Sequence, residues 1–295
     1  MTPSVEWVQI SHEILAGYPL PGNKAIAFHS YKGGTGKTTV ISNLAAIYAM
    51  QGRNVCLLDL DVYAPSLYAY FNKEPKVWLN DVLAGEASIG DCLVDVSAEI
   101  GTKGKIALGF SSPRKEDVYA FEALQDKKWQ LAALKRFLSL KDELHTKFGF
   151  DYILFDTSPG IHYWSINALV AADILILMSK YMNMDIEGTR KMVGNIYDAL
   201  GRFGSKSFII LNRVEGSGFS FRGGVPVALY ATDREKSSQR ESEVKMRVSL
   251  PVLASIPCYC DIQFDPHEFL FALKDTAHPF SKILQAIGNS IEALA

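Results

Sequence analysis

The apolar residues of this chain fall into short continuous runs, each followed by glycine, aspartate or a polar turn. Residues 25–30 (AIAFHS) form one such run, and residues 55–60 (VCLLDL) form a second that is apolar almost throughout. Strands buried on both faces have this pattern, whereas half-exposed strands alternate apolar and polar residues. Later runs repeat it at residues 152–155, 174–178, 208–211 and 252–256. The pattern predicts the strands of a buried sheet.

Between these runs, apolar residues recur at the spacing that is typical of helices. Between residues 38 and 51, apolar side chains recur every three or four positions, and Gly52 follows as a natural helix end. Further helices are predicted around residues 128–147 and 187–203. Strands that alternate with helices are typical of a parallel sheet covered on both faces. We therefore expect an α/β fold, a doubly wound and mostly parallel sheet with helices on both faces.

Two segments depart from the alternation of strands and helices. Residues 1–23 precede the first strand and are predicted to be an N-terminal extension that packs as a short arm. Residues 216–236 are glycine-rich, then polar, and long for a connection inside a compact domain. We expect one domain over residues 24–295 with an inserted loop at about 216–236, which is either a partner-specific surface or a plain connection.

The composition and charge of the chain argue against several classes of protein. The chain has 30 basic and 32 acidic residues, a net charge of −2, which gives no support for nucleic-acid binding through a basic surface. No apolar run approaches the roughly 20 residues that cross a bilayer, and the N-terminus lacks the basic start and apolar core of a secretory signal. Four cysteines are too few for a disulfide scaffold in 295 residues. We expect a cytoplasmic protein.

A glycine-rich turn joins the first predicted strand to the first predicted helix. It reads Tyr31-Lys32-Gly33-Gly34-Thr35-Gly36-Lys37-Thr38. Glycines let backbone N–H groups approach phosphate oxygens, and the helix that follows adds its positive N-terminal end. Lys37 is placed to reach the β- and γ-phosphates of ATP, and the Thr38 hydroxyl to bind Mg²⁺. Strand, glycine turn and helix in succession predict a phosphate-binding loop.

Aspartates follow two of the predicted strands. Asp59 and Asp61 stand at the carboxyl end of the second run, and Asp156 ends the run at residues 152–155. The carboxyl ends of parallel strands form the ligand-binding edge of such a sheet. Phosphoryl transfer to water requires a metal ion and an oriented water more than a strong base. These carboxylates are therefore predicted to face the phosphates, although Asp59 could simply hold its own turn.

The run KGGTGKTT resembles the deviant Walker A signature of the ParA/MinD family of P-loop ATPases. The resemblance implies that Lys32 reaches across a dimer interface to the phosphates of the partner's ATP, as a catalytic positive charge. It implies that Asp61 positions the attacking water, while Asp59 and Asp156 support Mg²⁺. The implied ATP-binding residues of the loop are Gly33, Gly34, Thr35, Gly36, Lys37, Thr38 and Thr39.

The resemblance extends over about residues 24–294 and has clear departures. Tyr31 stands where the ordinary motif has its first glycine, and Ser158 replaces a proline of the family's DTPPG segment. Adenine contacts are implied for Asn212, after the strand ending at residue 211, and for Pro257, after the strand ending at residue 256.

The resemblance also implies a function. It is Mg²⁺-dependent ATP hydrolysis, slow alone and stimulated by an activating protein partner, in an ATP-dependent homodimer that switches intracellular positioning or segregation. Some relatives contact membranes through a C-terminal helix, and others contact DNA. Neither contact is supported here, because the charge is slightly acidic and the polar side of residues 279–294 carries a single lysine. We expect that helix to pack in the core.

Two alternatives stay open. Residues 59–66 resemble the matching stretch of Mrp-type iron–sulfur carriers, and Cys258 with Cys260 would supply soft metal ligands across a dimer interface. The chain would then be a metallochaperone ATPase, although carriers have a C-x-x-C pair and this chain has C-x-C. The second alternative is a regulatory module that holds ATP without hydrolysing it.

Overall fold

The structure of the protein is a computed structural model. It describes residues 24–123, 127–201, 205–215, 219–222, 225–228, 234–259, 262 and 269–294. The predicted N-terminal extension, residues 1–23, lies outside this part of the chain.

The described strands begin and end close to the apolar runs of the sequence. They are β1 (Lys24–His29), β2 (Val55–Leu60), β3 (Val94–Asp95), β4 (Ile106–Gly109), β5 (Tyr152–Thr157), β6 (Ile174–Ser179), β7 (Lys206–Val214), β8 (Phe219–Arg222), β9 (Val225–Ala228) and β10 (Val252–Pro257). All six predicted strands are present. The short strands β3 and β4 were not predicted, because neither has a long apolar run.

The described helices fill the connections. They are α1 (Lys37–Met50), α2 (Leu67–Tyr70), α3 (Leu79–Ala84), α4 (Ile89–Cys92), α5 (Ser97–Ile100), α6 (Lys115–Ala123), α7 (Lys127–Thr146), α8 (Tyr163–Ala171), α9 (Asn183–Met192), α10 (Asp198–Gly201), α11 (Arg234–Val248), α12 (Phe271–Lys274) and α13 (Pro279–Ala293). A π-helical turn, Val193–Tyr197, joins α9 to α10. The helix predicted at residues 187–203 therefore begins at Asn183.

Eight of these strands form one sheet in the order β10-β7-β6-β1-β5-β2-β4-β3. Its pairings are parallel except for the antiparallel pair of β3 with β4. β1 lies between β5 and β6, so the connection after β1 leaves toward β2 and the connection after β5 leaves toward β6. This divergence opens a crevice at the carboxyl edge, the usual ligand site of such sheets.

Side chains of β1 show that both faces of the sheet are buried. Ala25 and Ala27 pack into a core with α7, α8 and α9, while Ile26 and Phe28 pack into a second core with α1 and α13. Successive residues of a strand point to opposite faces, and here every one of them meets helices. The predicted doubly wound fold is confirmed.

The last helix, α13, packs in the core as expected. Leu284, Ile287 and Ile291 are buried against α1, and the Lys24 ammonium donates to the backbone oxygens of Ile291 (2.8 Å) and Glu292 (2.7 Å). Within the described ranges, every helix is too short or too polar to span a lipid bilayer.

The predicted insertion at residues 216–236 is described in part. Its described residues form an antiparallel hairpin of β8 and β9, with Phe219 opposite Ala228 and Arg222 opposite Val225, and the first turn of α11.

Candidate nucleotide-binding site

A cavity of about 380 Å³ opens at the carboxyl edge of the sheet. Its walls come from four connections: the phosphate loop after β1, the loop after β2, the loop after β5 and the end of β7. The lining residues are Gly33, Gly34, Thr35, Gly36, Lys37, Thr38, Thr39, Asp61, Tyr63, Ala64, Ser66, Tyr70, Ser158, Pro159, His162 and Arg213. The strand order thus brings together segments about 180 residues apart in the chain.

The phosphate loop has the backbone that its glycines allow. Gly34 and Gly36 have φ of 70° and 87°, in the left-handed region that favours glycine. A side chain on Gly36 would also collide with the Asn212 amide, whose nitrogen lies 2.3 Å from an ideal Cβ position. Helix α1 begins directly after Gly36, so its N-terminal N–H groups face the cavity. This arrangement suits a chain of phosphates.

Lys37 points inward beneath the loop. Its side chain is buried, 7% exposed, and Nζ donates to the Ser30 hydroxyl at 3.1 Å. Ser30 in turn donates to the backbone oxygen of Lys32 at 2.7 Å. The Lys37 ammonium therefore lies beneath the phosphate loop, where the sequence predicts that the β- and γ-phosphates bind.

Asp59 and Asp156 lie side by side at the ends of β2 and β5, where the strand register pairs them. Both are buried. Burial raises the pKa of Asp59 well above its usual value, and the neighbouring Asp156 raises it further. Burial raises the pKa of Asp156 to about 6, against the opposing effects of Lys37 and a hydrogen bond with Thr38. Two buried carboxylates with unfavourable charge are a place where a cation would be stabilising.

The donor set fits Mg²⁺. Asp156 Oδ1 is buried and has no hydrogen-bond partner among the described residues, and the Thr38 hydroxyl hydrogen-bonds to the same side chain. Mg²⁺ prefers oxygen ligands and is usually held by one or two carboxylates together with substrate phosphates and water. In the described part of the chain there is no cluster of three or more His, Cys, Asp or Glu side chains arranged for a metal.

Asp59 also holds the loop that follows β2. Its carboxylate accepts backbone N–H groups of Asp61 (3.0 Å), Ser66 (3.2 Å) and Leu67 (3.2 Å). Asp61 lines the cavity and uses one oxygen to accept the Ala64 N–H at 3.2 Å. Asp59 therefore positions the turn, and Asp61 is the carboxylate that faces the ligand space.

Lys32 is directed away from the cavity. Its Nζ lies 3.2 Å from Oδ1 of Asp185, in the first turn of α9, and its side chain is 43% exposed. Tyr31 contacts the same helix: an ideal Cβ on Gly188 would lie 2.0 Å from the Tyr31 ring. The phosphate loop thus contacts α9 in two ways: Lys32 pairs with Asp185, and the Tyr31 ring packs against the backbone at Gly188. Neither Asp185 nor Gly188 carried a sequence signal.

His29 lies buried directly before the phosphate loop. Its Nδ1 lies 2.6 Å from the Thr157 hydroxyl, which itself donates to the Phe28 backbone oxygen at 2.9 Å. Since that hydroxyl proton is already used, His29 Nδ1 carries the donated hydrogen. Burial, followed by the charge of Lys37, lowers the pKa of His29 to about 3, so the ring is neutral at physiological pH.

The two residues expected to contact adenine lie near the cavity but are not among its described lining residues. Asn212 is buried and donates its amide to the Thr35 backbone oxygen at 2.7 Å. Pro257 ends β10 beside Val214. The Asn212 amide thus braces the phosphate loop, and the predicted adenine contacts of Asn212 and Pro257 stay predictions.

The structure adds residues that sequence reasoning did not select. The rings of Tyr63 and His162, which both line the cavity, are in contact with each other, with ring centroids 4.5 Å apart. The Lys180 ammonium lies 3.9 Å from an ideal Cβ on Gly34. Arg213 lines the cavity from the end of β7. These contacts depend on tertiary proximity, which no local spacing indicates.

The cysteines give no metal centre within the described residues. Cys56 and Cys92 are buried, and burial raises the pKa of both thiols. Cys258 is half-buried, and Cys260 lies outside the described residues. The proposed Cys258–Cys260 ligand pair therefore stays a prediction.

Comparison with known proteins agrees with this geometry. The model of the AAA_31 family, an AAA domain, matches residues 23–205. The chain is 30% identical over 159 residues to the septum site-determining protein MinD of Bacillus subtilis, covering 53% of each protein. The chain belongs to the ParA/MinD family of P-loop ATPases.

Other relatives of this ParA/MinD family member match over shorter stretches. An ATP-binding protein of Methanocaldococcus jannaschii is 49% identical over 72 residues, 24% of this chain and 27% of that protein. The cytosolic Fe-S cluster assembly factor CFD1 of Phaeosphaeria nodorum is 30% identical over 141 residues, 44% of this chain and 45% of that factor. The matches cover less than two thirds of each of these relatives.

Solved structures share the fold of this ParA/MinD family member. The cell division ATPase MinD of Pyrococcus furiosus superposes with a TM-score of 0.68 at 24% identity, over 92% of this chain and 100% of that one. MinD of Pyrococcus horikoshii, complexed with Mg-ADP, superposes with a TM-score of 0.67 at 21% identity, over 92% and 96%. At this identity the likeness establishes the fold.

Proposed function

We propose that this protein is a cytoplasmic Mg²⁺-dependent ATPase whose ATP-bound form is a homodimer. In this proposal the dimer is a switch for intracellular positioning or segregation, and an activating protein partner stimulates hydrolysis. MinD relatives and the Mg-ADP complex of the Pyrococcus horikoshii neighbour support the nucleotide and the class of role.

One observation carries the proposal: the two lysines of the phosphate loop point in different directions. Lys37 is buried beneath the loop, whereas Lys32 is partly exposed and pairs with Asp185 outside the cavity. A lysine that does not serve its own cavity is free to serve the cavity of a second copy. Its charge would then stabilise the negative charge of the transferring phosphoryl group, as an arginine finger does.

The remaining roles follow from position. Gly33 to Thr39 bind the phosphates through backbone N–H groups and Lys37, and Asp61 orients the attacking water from the cavity wall. Thr38 and Asp156 would hold Mg²⁺, with Asp59 beside them, and the ion would neutralise phosphate charge. Asn212 and Pro257 stay assigned to the adenine side of the site.

Solution mass with nucleotide tests the switch. The Asp61→Ala variant, which should bind ATP without hydrolysing it, is weighed by light scattering with Mg-ATP and with Mg-ADP. We expect twice the monomer mass of 32.6 kDa with ATP and the monomer mass with ADP. Adding Lys32→Ala should abolish the dimer, and adding Lys147→Ala, a surface lysine paired with Glu143, should not. A mass indifferent to nucleotide would overturn the switch.

A metallochaperone ATPase remains the second candidate, because CFD1 is among the relatives and residues 59–66 resemble Mrp-type carriers. This candidate needs Cys258 and Cys260 as ligands. The test measures the iron or zinc bound per dimer after the protein is loaded with metal. Bound metal in wild type that is lost in a Cys258→Ser/Cys260→Ser variant would support this candidate. Equal metal content in wild type and variant would exclude it.

A further inference from the structure

His162 is a half-buried histidine in the wall of the cavity. It is the N-terminal cap residue of α8, but its side chain makes no cap hydrogen bond. Within the described part of the chain, its ring has no hydrogen bond and no ion pair. Each neutral tautomer of imidazole has one N–H to donate, so a ring that faces a ligand space without an internal acceptor is available to the ligand.

The Tyr63 ring holds His162 in place. The two ring centroids lie 4.5 Å apart, with an angle of 42° between the ring planes. Tyr63 follows Asp61 by two residues in the loop after β2, whereas His162 ends the loop after β5. The contact therefore joins the loop with the carboxylate proposed to orient water to the loop that follows Asp156.

The residues before His162 lie beside the start of the phosphate loop. Pro159 Cγ is 3.9 Å from an ideal Cβ on Gly33, and the Gly160 N–H donates to the Ser30 backbone oxygen at 2.8 Å. An ideal Cβ on Gly160 would lie 3.7 Å from His162 Nε2. The ring is thus close to the loop that would bind the phosphates.

The metal ligands indicate which phosphate lies nearest to His162. Mg²⁺ bridges β- and γ-oxygens of a nucleoside triphosphate, and its proposed ligand Asp156 begins the segment that leads to His162. Asp61, proposed to orient the water that attacks the γ-phosphate, lies in the same loop as Tyr63. Both loops joined by the His162 contact therefore belong to the terminal phosphate.

We propose that His162 donates a hydrogen bond to the γ-phosphate of ATP and thereby distinguishes ATP from ADP. Such a hydrogen bond is strong because its acceptor is ionised. Release of phosphate after hydrolysis would remove the acceptor, and the ring would keep only its contact with Tyr63. This inference rests on the proposed ATP-binding function and adds a residue that contacts the phosphate lost in turnover.

Binding of two nucleotides to matched variants tests the inference. Calorimetry measures Mg-ADP and a non-hydrolysable Mg-ATP analogue on His162→Leu, which removes the donor, and on His162→Gln, which keeps an N–H group. Every protein carries Lys32→Ala, so that the proposed dimerisation does not contribute to the measured affinities. His145→Leu is the control, since His145 is a buried histidine 2.8 Å from the Phe150 backbone oxygen, before β5 and away from the cavity.

We expect His162→Leu to weaken the ATP analogue about 10- to 100-fold, the range of a hydrogen bond to a charged group, and Mg-ADP less than about twofold. His162→Gln should lose less affinity than His162→Leu. His145→Leu should lower the unfolding temperature and keep both affinities. Tyr63→Leu should weaken only the analogue and add little to His162→Leu, because it acts through the His162 ring.

Three results would contradict the hydrogen bond. Equal losses for both nucleotides in His162→Leu would show that the ring only packs, and unchanged affinities would show that it does not meet the ligand. A loss in His162→Gln as large as in His162→Leu would exclude donation by the ring N–H. Each of these overturns the inference while the parent protein still binds ATP, whereas a parent that binds neither nucleotide would refute the proposed function itself.

Discussion

Two lysines five residues apart on one loop have opposite surroundings. Lys37 is 7% exposed and hydrogen-bonded to Ser30 beneath the loop, whereas Lys32 is 43% exposed at its side chain and pairs with Asp185 of a neighbouring helix. The first is fixed where its own ligand would lie. The second is held by an ion pair in which the Lys32 side chain is partly exposed and the Asp185 side chain is 13% exposed, and pairs close to the surface typically contribute about 1 kcal/mol or less.

The comparison separates two parts of the site. Lys37 is fixed in the site of its own chain, whereas Lys32 is held by an ion pair that can break and re-form. Removing a buried, positioned cation should eliminate ligand binding in the same chain. Removing the Asp185 partner of the exposed Lys32 should leave ATP binding within the chain intact and change only dimerisation with a second copy. The following predictions test this division from the largest expected effect to the smallest.

Lys37→Ala should weaken Mg-ATP binding by at least about 100-fold, because the charge-assisted contact of a buried ammonium with phosphate is lost. Calorimetric titration measures the loss. Lys141→Ala is the matched control, since Lys141 is equally buried but pairs with Asp173 at 2.7 Å, away from the cavity. That control should lower stability and keep ATP affinity. Equal ATP affinity of Lys37→Ala and wild type would contradict the buried half of the division.

Gly188→Ala should destabilise the fold by about 3 kcal/mol, the upper part of the overpacking range, because its methyl group would lie 2.0 Å from the Tyr31 ring. Chemical denaturation measures the change. Gly194→Ala is the control, because nothing lies within 4 Å of its Cβ position, and alanine there should be neutral or stabilising. Tyr31→Gly should rescue Gly188→Ala, and additive losses in the double variant would argue against the contact.

Acid should destabilise the buried side of the loop through His29, whose pKa is about 3 when folded and 6.5 in its ordinary state. The lowered pKa means that the unfolded chain binds the extra proton between those values, so stability is fully present above pH 6.5 and falls as pH decreases toward 3. From pH 6.5 to 5 the loss is about 2 kcal/mol.

Unfolding of wild type and His29→Asn at pH 7.5, 6.5 and 5 measures this loss. The Asp59 and Asp156 carboxyls titrate in both proteins, so the difference between the two profiles isolates the imidazole. The variant should have a flatter acid limb. Parallel profiles would show that His29 is not held neutral.

Asp185→Asn should have the smallest effect on stability, about 1 kcal/mol, since it removes an ion pair whose lysine side chain is 43% exposed. It should nevertheless lower the ATP concentration needed for half-maximal dimerisation in the Asp61→Ala background, up to about fivefold, because Lys32 is released. Glu143→Gln, which breaks the exposed pair with Lys147, should leave dimerisation unchanged. A shift to higher ATP would mean that Asp185 assists the dimer.

The sheet and the phosphate loop were predictable because their signals are local. A strand buried on both faces is an unbroken apolar run, and a glycine turn before a helix is readable over eight residues. Asp59 illustrates a partial success: its position was predicted, and the structure adds that it holds the turn through three N–H groups.

The contacts around the loop were not predictable because they join distant segments. Asp185 and Gly188 meet Lys32 and Tyr31 only after β6 has paired with β1. The orientation of Arg213 depends on a register shift against β10. A single sequence contains no local mark for either arrangement.

The position of β1 in the sheet has a consequence for folding during synthesis on the ribosome. β1 is the first described strand to be synthesised, yet its neighbours β5 and β6 begin at Tyr152 and Ile174. At about 5–20 residues per second, translation leaves β1 without its neighbours for on the order of ten seconds. During that interval an apolar strand is exposed to chaperones and to other nascent chains. The nucleotide site therefore matures late in synthesis, although the loop that defines it is translated early.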